Sequence, residues 1–272
     1  MKKSVYTICL CLLSVLVFYE VRHTYVEETG SDTVVPTSRF VSHIQQENAK
    51  HTDGTKKEQE KKNEKKVAYL TFDDGPSENT KKILKILEEK KAVATFFLIG
   101  KEITEEREET VKELKKKGNA IGVHTYCHQK NRMYCNAQCF YEDFQQASEA
   151  IEKITGEKPT LHRFPYGSNN SYVKSYVDEL HENLQKKGVR SFDWNVSGED
   201  SLSPYVAQET IFQNVKKDLT RYEQPIILLH DAAAMNNTAA VLGRIIDYIR
   251  EEGYTFDTLE NRDEYMVPAS WR

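Results

Sequence analysis

Two neighbouring carboxylates, Asp73 and Asp74, stand in the run Thr71-Phe72-Asp73-Asp74-Gly75-Pro76. Adjacent carboxylates held at one strand end repel each other and lose hydration, so something must compensate them. A divalent cation would do so, with one Asp as its ligand and the neighbour free to accept a proton. The plainer reading is a capped strand-to-helix turn, which Asp and Gly-Pro commonly mark. A second constellation is His124-Thr125-Tyr126-Cys127-His128. Two His four residues apart share a face if the chain is helical there, and can bind one metal. Such a pair by itself more often carries no function. One carboxylate and two neutral imidazoles leave a coordination position for water, which is a catalytic arrangement rather than a structural one. Zn2+ is the expected ion, and other divalent transition ions suit the same donors.

Three further groups extend the chemistry. Arg163, in Arg163-Phe164-Pro165-Tyr166-Gly167, can clamp a carboxylate and favour its ionised form, or be an ordinary arginine on a surface turn. Asp193-Trp194 follows, and then Leu228-Leu229-His230-Asp231. A His at a strand end can act as general acid while a nearby Asp holds its tautomer; a lone His there is more often structural.

The elements that must position these residues are legible as period. Apolar runs predict strands at Val67–Phe72, Ala92–Leu98, Ala120–Val123, Thr160–Phe164, Arg190–Val196, Pro225–Leu229 and Tyr254–Asp257. Between them, apolar residues three and four apart predict helices, including Phe144–Ile154, Tyr172–Leu184, Ile211–Leu219 and Val241–Ile249. Gly118, Gly156, Gly188 and Gly253 each fall after a helix and before a strand. Strands alternating with helices predict a parallel sheet, closed into a barrel or open and doubly wound. In either case ligands meet the C-terminal strand ends, where these groups fall, so Asp74, His124 and His128 can converge.

The hydrophobic fraction of 39% and charged fraction of 29% fit a globular body rather than a polytopic membrane protein. A net charge of −4, with lysines interleaved among glutamates, gives no reason to expect nucleic acid. Lys2 and Lys3 precede an uncharged stretch from Ser4 to Tyr19, which Glu20 and Arg22 end. This stretch is a little short of the ~20 residues that span a bilayer. No small-residue cleavage pattern follows, so residues 1–22 are expected to be an uncleaved signal anchor rather than a cleaved signal peptide. Either puts the body outside the cell. Residues 23–66, polar and rich in Lys and Glu towards their end, are expected to be a flexible stalk. Residues 67–272 then form the catalytic domain. Cys127, Cys135 and Cys139 lie close together. One disulfide among them, most simply Cys135–Cys139, stands beside free thiols and extra metal ligation as the readings.

From Val67 to about Asp257 the chain resembles the polysaccharide deacetylase family (family-four carbohydrate esterases, the NodB homology domain). Five ordered motifs carry the likeness: Thr71–Gly75, His124–His128, Arg163–Gly167, Asp193-Trp194 and Leu229-His230. The resemblance implies a distorted (β/α)7 barrel. It implies Asp73 as general base, Asp74, His124 and His128 as metal ligands, and His230 as general acid. Arg163 would orient Asp73, and Asp193 would tune His230. Trp194 and Leu229 would wall the acetyl pocket, and the Tyr166 backbone N–H would meet the oxyanion. Arg190 departs from the family, which often has Asp there; no catalytic role falls on that position.

The expected activity is therefore removal of acetyl groups from N-acetylglucosamine units of an extracellular polysaccharide, with peptidoglycan first. Chitin-type oligomers, other exopolysaccharides and O-acetylated xylan are the alternatives. No G-x-S-x-G turn supports a serine esterase, and adjacent carboxylates are poorly placed to straddle a glycosidic bond. A silent wall-associated carbohydrate-binding protein should have lost a ligand, the base or the acid, and all are present. No protein partner is evident.

Overall fold

The computed structural model describes residues 66–267. The expected anchor and nearly all of the expected stalk lie outside the described residues. Among the described residues no helix is long and apolar enough to cross a membrane.

Strands β1 (Val67–Gly75), β2 (Ala94–Ile99), β3 (Ala120–Thr125), β4 (Leu161–His162), β5 (Arg190–Ser191), β6 (Val196–Ser197), β7 (Ile226–His230) and β8 (Thr255–Phe256) form one sheet. Its order is β5-β4-β3-β2-β1-β7-β6, with β8 paired to the start of β1. All the strand pairs are parallel. The principal helices are α1 (Glu78–Glu89), α2 (Glu108–Lys116), α3 (Lys130–Met133), α4 (Ala137–Thr155), α5 (Val177–Lys186), α6 (Gln208–Leu219) and α7 (Asn236–Glu251).

Strand alternation sorts the core into two clusters. Leu70, Phe72, Phe96, Leu98, Ile121, Val123, Ile227 and Leu229 pack with the apolar faces of the helices. Tyr69, Phe97, Ala120, Leu161 and Ile226 join Phe192 and Leu259 in a smaller inner cluster. Both faces are buried, as a helix-covered parallel sheet requires, which is why these strands read as continuous apolar runs. Thr71 and Asp73 fall on the inner face of β1 with Tyr69, because side chains two residues apart share a face.

The barrel is open on one side. The expected strand Arg190–Val196 is instead two short strands, β5 and β6, at opposite edges of the sheet. The chain between them spends its hydrogen bonds elsewhere. The Phe192 carbonyl accepts from Arg163 Nε at 2.8 Å, and Asp193 N–H donates to the Tyr265 carbonyl at 2.8 Å. The Asn195 side chain takes the Ile226 N–H at 2.8 Å. The fold is thus a parallel-stranded half-barrel, the distortion being this seam. Arg190 has a structural task at its edge, donating to the Glu260 carbonyl at 3.0 Å.

One boundary moved for a local reason, and one held. Helix α5 begins at Val177, not Tyr172, because Asn170 Oδ1 accepts from the N–H groups of Tyr172 and Val173 and holds a turn there. Helix α4 ends at Gly156, whose φ of 74° closes it in the left-handed conformation. Cys135 and Cys139 are disulfide-bonded across the start of α4. Cys127 is a free, buried thiol.

Gly122 lies on the inner side of β3, two residues before His124. A β-carbon there would sit 2.7 Å from the Phe97 ring and 3.0 Å from Leu161 Cβ. Phe97 in turn lies 4.3 Å beneath the Arg163 guanidinium. Gly122→Ala is therefore expected to cost about 1–3 kcal/mol by overpacking, read as a lowered urea midpoint with an unchanged slope.

Candidate active site

The site begins with an irregularity in β1. Asp73 pairs with Phe97 and Gly75 with Leu98, so Asp74 is an extra residue without a partner in β2. It takes a left-handed conformation, φ 75°. In a regular strand Asp73 and Asp74 would point to opposite faces; the bulge re-aims the second carboxylate towards the first. Capping, the plainer role, falls on Ser77, which forms a capping box with Thr80 at the start of α1. The Gly75 position tolerates no side chain, since a β-carbon would lie 2.3 Å from Asp231 Oδ2. Burial pushes Asp231 up to about 7, and its carboxyl accepts from Thr80 Oγ1 at 2.5 Å.

His124 is the penultimate residue of β3, and its Nδ1 lies 3.0 Å from the Arg163 carbonyl. A carbonyl can only accept, so Nδ1 carries the proton and Nε2 presents a lone pair. Burial holds His124 down to about 3, against the pull of Asp74, so the ring is neutral at physiological pH. The residues after it are not helical, contrary to the geometry under which two His four apart would share a face. A tight loop does the work instead. Asp143 of α4 accepts the Thr125 hydroxyl and the N–H groups of Tyr126 and Cys127, at 2.6 and 3.1 Å for the latter two. His128 then adopts φ 52°, and its N–H donates to Thr125 Oγ1 at 3.2 Å. Its Nε2 stands 3.4 Å from Asp74 Oδ1, and that of His124 stands 3.5 Å away.

Three donor atoms of Asp74, His124 and His128 lie within 4.8 Å of one another. Asp74 Oδ1 is buried and accepts no hydrogen bond among the described residues. A buried, unsatisfied carboxylate oxygen aimed at two imidazole nitrogens is unfavourable unless a cation joins them. The donor set therefore fits one divalent transition ion.

Asp73 is served differently. The fully buried Arg163 donates through one nitrogen to Asp73 Oδ1 at 2.9 Å and to Thr71 Oγ1 at 2.6 Å. Its remaining nitrogens meet the Phe192 carbonyl at 2.8 Å and the Asp193 carbonyl at 3.3 Å. Burial pushes the Asp73 carboxyl above the usual carboxylate range, and Arg163 and His230 pull it part of the way back. The result is a carboxylate with more proton affinity than one in water.

Across the pair of strands, His230 of β7 stands in register with Asp73. Its Nδ1 lies 2.8 Å from Asp200 Oδ1, and its N–H donates to Asp200 Oδ2 at 2.8 Å. Burial alone would depress this imidazole. The hydrogen bond and charge of Asp200, reinforced by Asp73 and Asp74, outweigh burial and raise it to about 9. His230 is therefore a cation at neutral pH, and Nε2 carries a proton to give.

Two expected assignments change. The partner of His230 is Asp200, not Asp193. The Asp193 carboxylate accepts from Ser168 N–H and Oγ at 2.9 and 2.5 Å and from Val267 N–H at 2.9 Å, tying down the loop after β4 and the C-terminal segment. Leu229 does not face the site either. It pairs with Phe72 and packs against the helices, where its methyl would meet any β-carbon at Gly198. Leu228, in register with Thr71, is the residue of β7 on the side of His230. The other expected residues do meet here. Trp194 packs beside Gly167 and 5.7 Å from the Arg163 guanidinium. Tyr166, φ 67°, sets its half-exposed ring 5.2 Å from His128.

Asp200 was findable: it follows Val196–Ser197, which runs beside β7, and strand ends carry the chemistry. Reading residues 190–196 as one strand hid it. Asp143 had no signal, since on an amphipathic helix it looks like any solvated acid.

The chain's likeness to known proteins agrees with this geometry. A model of the polysaccharide deacetylase family matches residues 60–183. A peptidoglycan-N-acetylglucosamine deacetylase of Bacillus cereus is 32% identical over 212 residues, covering 75% of this chain and 73% of the relative. A chitooligosaccharide deacetylase of Azorhizobium caulinodans is 30% identical over 175 residues, 63% of this chain and 76% of the relative. The crystal structure of the catalytic domain of a peptidoglycan N-acetylglucosamine deacetylase from Eubacterium rectale superposes with a TM-score of 0.68 at 29% identity, covering 75% of this chain and 94% of that one. The chain belongs to the polysaccharide deacetylase family, a family of hydrolytic deacetylases.

Proposed function

We propose that this chain is a metal-dependent N-deacetylase of an extracellular polysaccharide, with peptidoglycan N-acetylglucosamine as its substrate. The observation that carries the metal dependence is the unsatisfied Asp74 Oδ1 facing His124 and His128. These three residues would hold one divalent cation, Zn2+ by the donor chemistry. When bound, the ion supplies a Lewis acid that polarises the acetamide carbonyl and acidifies the attacking water.

The chain's own residues supply the rest. Asp73, with its heightened proton affinity and its oxygen fixed by Arg163, takes a proton from the water as it attacks the carbonyl carbon. The Tyr166 N–H would meet the oxygen on which negative charge develops, a stabilisation that such donors make large in a water-poor site. His230, kept charged by Asp200, gives its proton to the departing nitrogen, because an amide anion is too basic to leave unaided. Trp194 and Leu228 would border the acetyl methyl. Asp193 and Asp143 act by positioning the loops that bear Tyr166 and His128.

The substrate reading is supported by the names of relatives that act on peptidoglycan and by an anchor and stalk in residues 1–66, proposed from sequence to hold residues 67–272 at the outer face of the membrane. Chitin-type oligomers, the substrate named for another relative, are the second reading.

Asp73→Asn is expected to keep its zinc while turnover falls about 10²–10⁴-fold; His124→Ala should lose both. Acetate release and metal content after dialysis measure these outcomes, and acetate release that survives complete chelation would refute the metal-dependent mechanism. His230 acts as an acid only while protonated, so turnover should fall as pH rises through about 9. Asp200→Asn removes the interaction that raises it, and should move that alkaline limb down by roughly one pH unit or more.

A further inference from the structure

Beside the reaction centre lies a second cavity of about 500 Å³, bordered by His128, Lys130, Asn131, Arg132, Tyr166 and Tyr172. It is continuous with the proposed active site, since it shares His128 and Tyr166. From His128 the rings step 5.2 Å to Tyr166 and a further 5.9 Å to Tyr172, each step comparable to the length of a sugar ring. Tyr166 and Tyr172 are among the few large apolar side chains left exposed, at 47% and 41%. Half-exposed aromatic faces that border a cleft are surfaces on which the apolar face of a sugar can lie.

The charge of this cavity is one-sided. Lys130 lies 4.9 Å over the Tyr172 ring and donates to its hydroxyl at 2.8 Å, an arrangement that holds the ammonium at the cavity edge. Arg132 joins it from the same short helix. No Asp or Glu borders the cavity, and neither cation forms an ion pair among the described residues, although Lys and Arg elsewhere on this surface commonly do. Glu142 and Asp143 face Arg132 only from an adjoining cavity, and Asp143 is already engaged by the His128 loop.

We propose that this cavity binds the sugar next to the one being deacetylated, and that Lys130 and Arg132 select a sugar bearing a carboxylate. This rests on the reading of the chain as a glycan deacetylase and narrows its substrate. A neutral N-acetylated chain offers two cations only hydroxyl and carbonyl acceptors and no countercharge, whereas an acidic substituent can pair with both. The lactyl-substituted sugars of peptidoglycan present such a carboxylate, either their own or that of an attached peptide.

The test compares glycans of equal length: N-acetylglucosamine alternating with a lactyl-bearing sugar, its methyl ester, and the peptide-amidated form with a free or a blocked peptide carboxylate. For the wild-type chain, kcat/KM should favour the acid over its ester about tenfold, through KM. Added NaCl should erode that preference. In Lys130→Gln/Arg132→Gln the preference should fall to near unity. An advantage confined to the free peptide carboxylate would identify the peptide as its source, and one already present in the unsubstituted lactyl sugar would identify the sugar itself. Equal KM values in the wild type both for acid and ester and for the free and blocked peptide carboxylate, or discrimination that survives the double substitution, would overturn the proposal. Calorimetric binding of acid and ester to Asp73→Asn reads the same preference without turnover. Failure to release acetate from any glycan would count against the deacetylase reading, while this measurement would still decide the subsite.

Discussion

Two carboxylates occupy consecutive positions at the end of a buried strand, and each must be neutralised by a different partner. That constraint organises the whole centre. Asp73 faces the guanidinium of Arg163, which also donates to Thr71 and two carbonyls. Asp74 faces two neutral imidazoles and keeps an oxygen unsatisfied. The left-handed bulge at Asp74 is what separates the two environments while keeping the carboxylates close. Removing Arg163 would strand a buried charge, which is far more costly than the pair is stabilising. In the proposed mechanism, the same division would let one carboxylate hold a cation while the other remains a base.

The polarity proposed for the reaction follows from a second separation. Asp73 and His230 stand in register on adjacent strands, yet their surroundings set opposite proton habits. Asp73 is a carboxylate made more basic by burial. His230 is an imidazole kept protonated by Asp200. An acid and a base on either side of one acetamide are what hydrolysis of a poor leaving group requires.

Such geometry requires backbone conformations that side chains normally avoid. Besides Lys91, the non-glycine residues in the left-handed region among those described are Asp74, His128, Tyr166 and Glu199. All four lie at the strand ends or on the strand-end loops that carry the site. Each costs on the order of 1–3 kcal/mol and persists only where surrounding contacts hold it. Asp143 supplies those contacts for the His128 loop, Asn170 and Asp193 for the loop after Tyr166, and Thr238 helps fix Asp200 at 2.7 Å.

Period and residue type alone were enough for the alternating architecture and for most of the candidate site residues, because inward and outward alternation and strand-end chemistry are local properties. Asp73, Asp74, His124, His128, Arg163 and His230 are visible in this way. What the sequence could not supply was which carboxylate each cation meets. Asp200 and Asp193 are both acids near strand ends, and only the splitting of residues 190–196 across two sheet edges sends one to His230 and the other to Ser168. Leu228 and Leu229 are likewise the same residue type, and only the register with β1 decides which faces the site. Asp143 is beyond any local signal, since its role exists only because α4 packs beneath the loop of β3. Chemistry was written in residue types; pairing was decided by hydrogen bonds that join residues far apart along the chain.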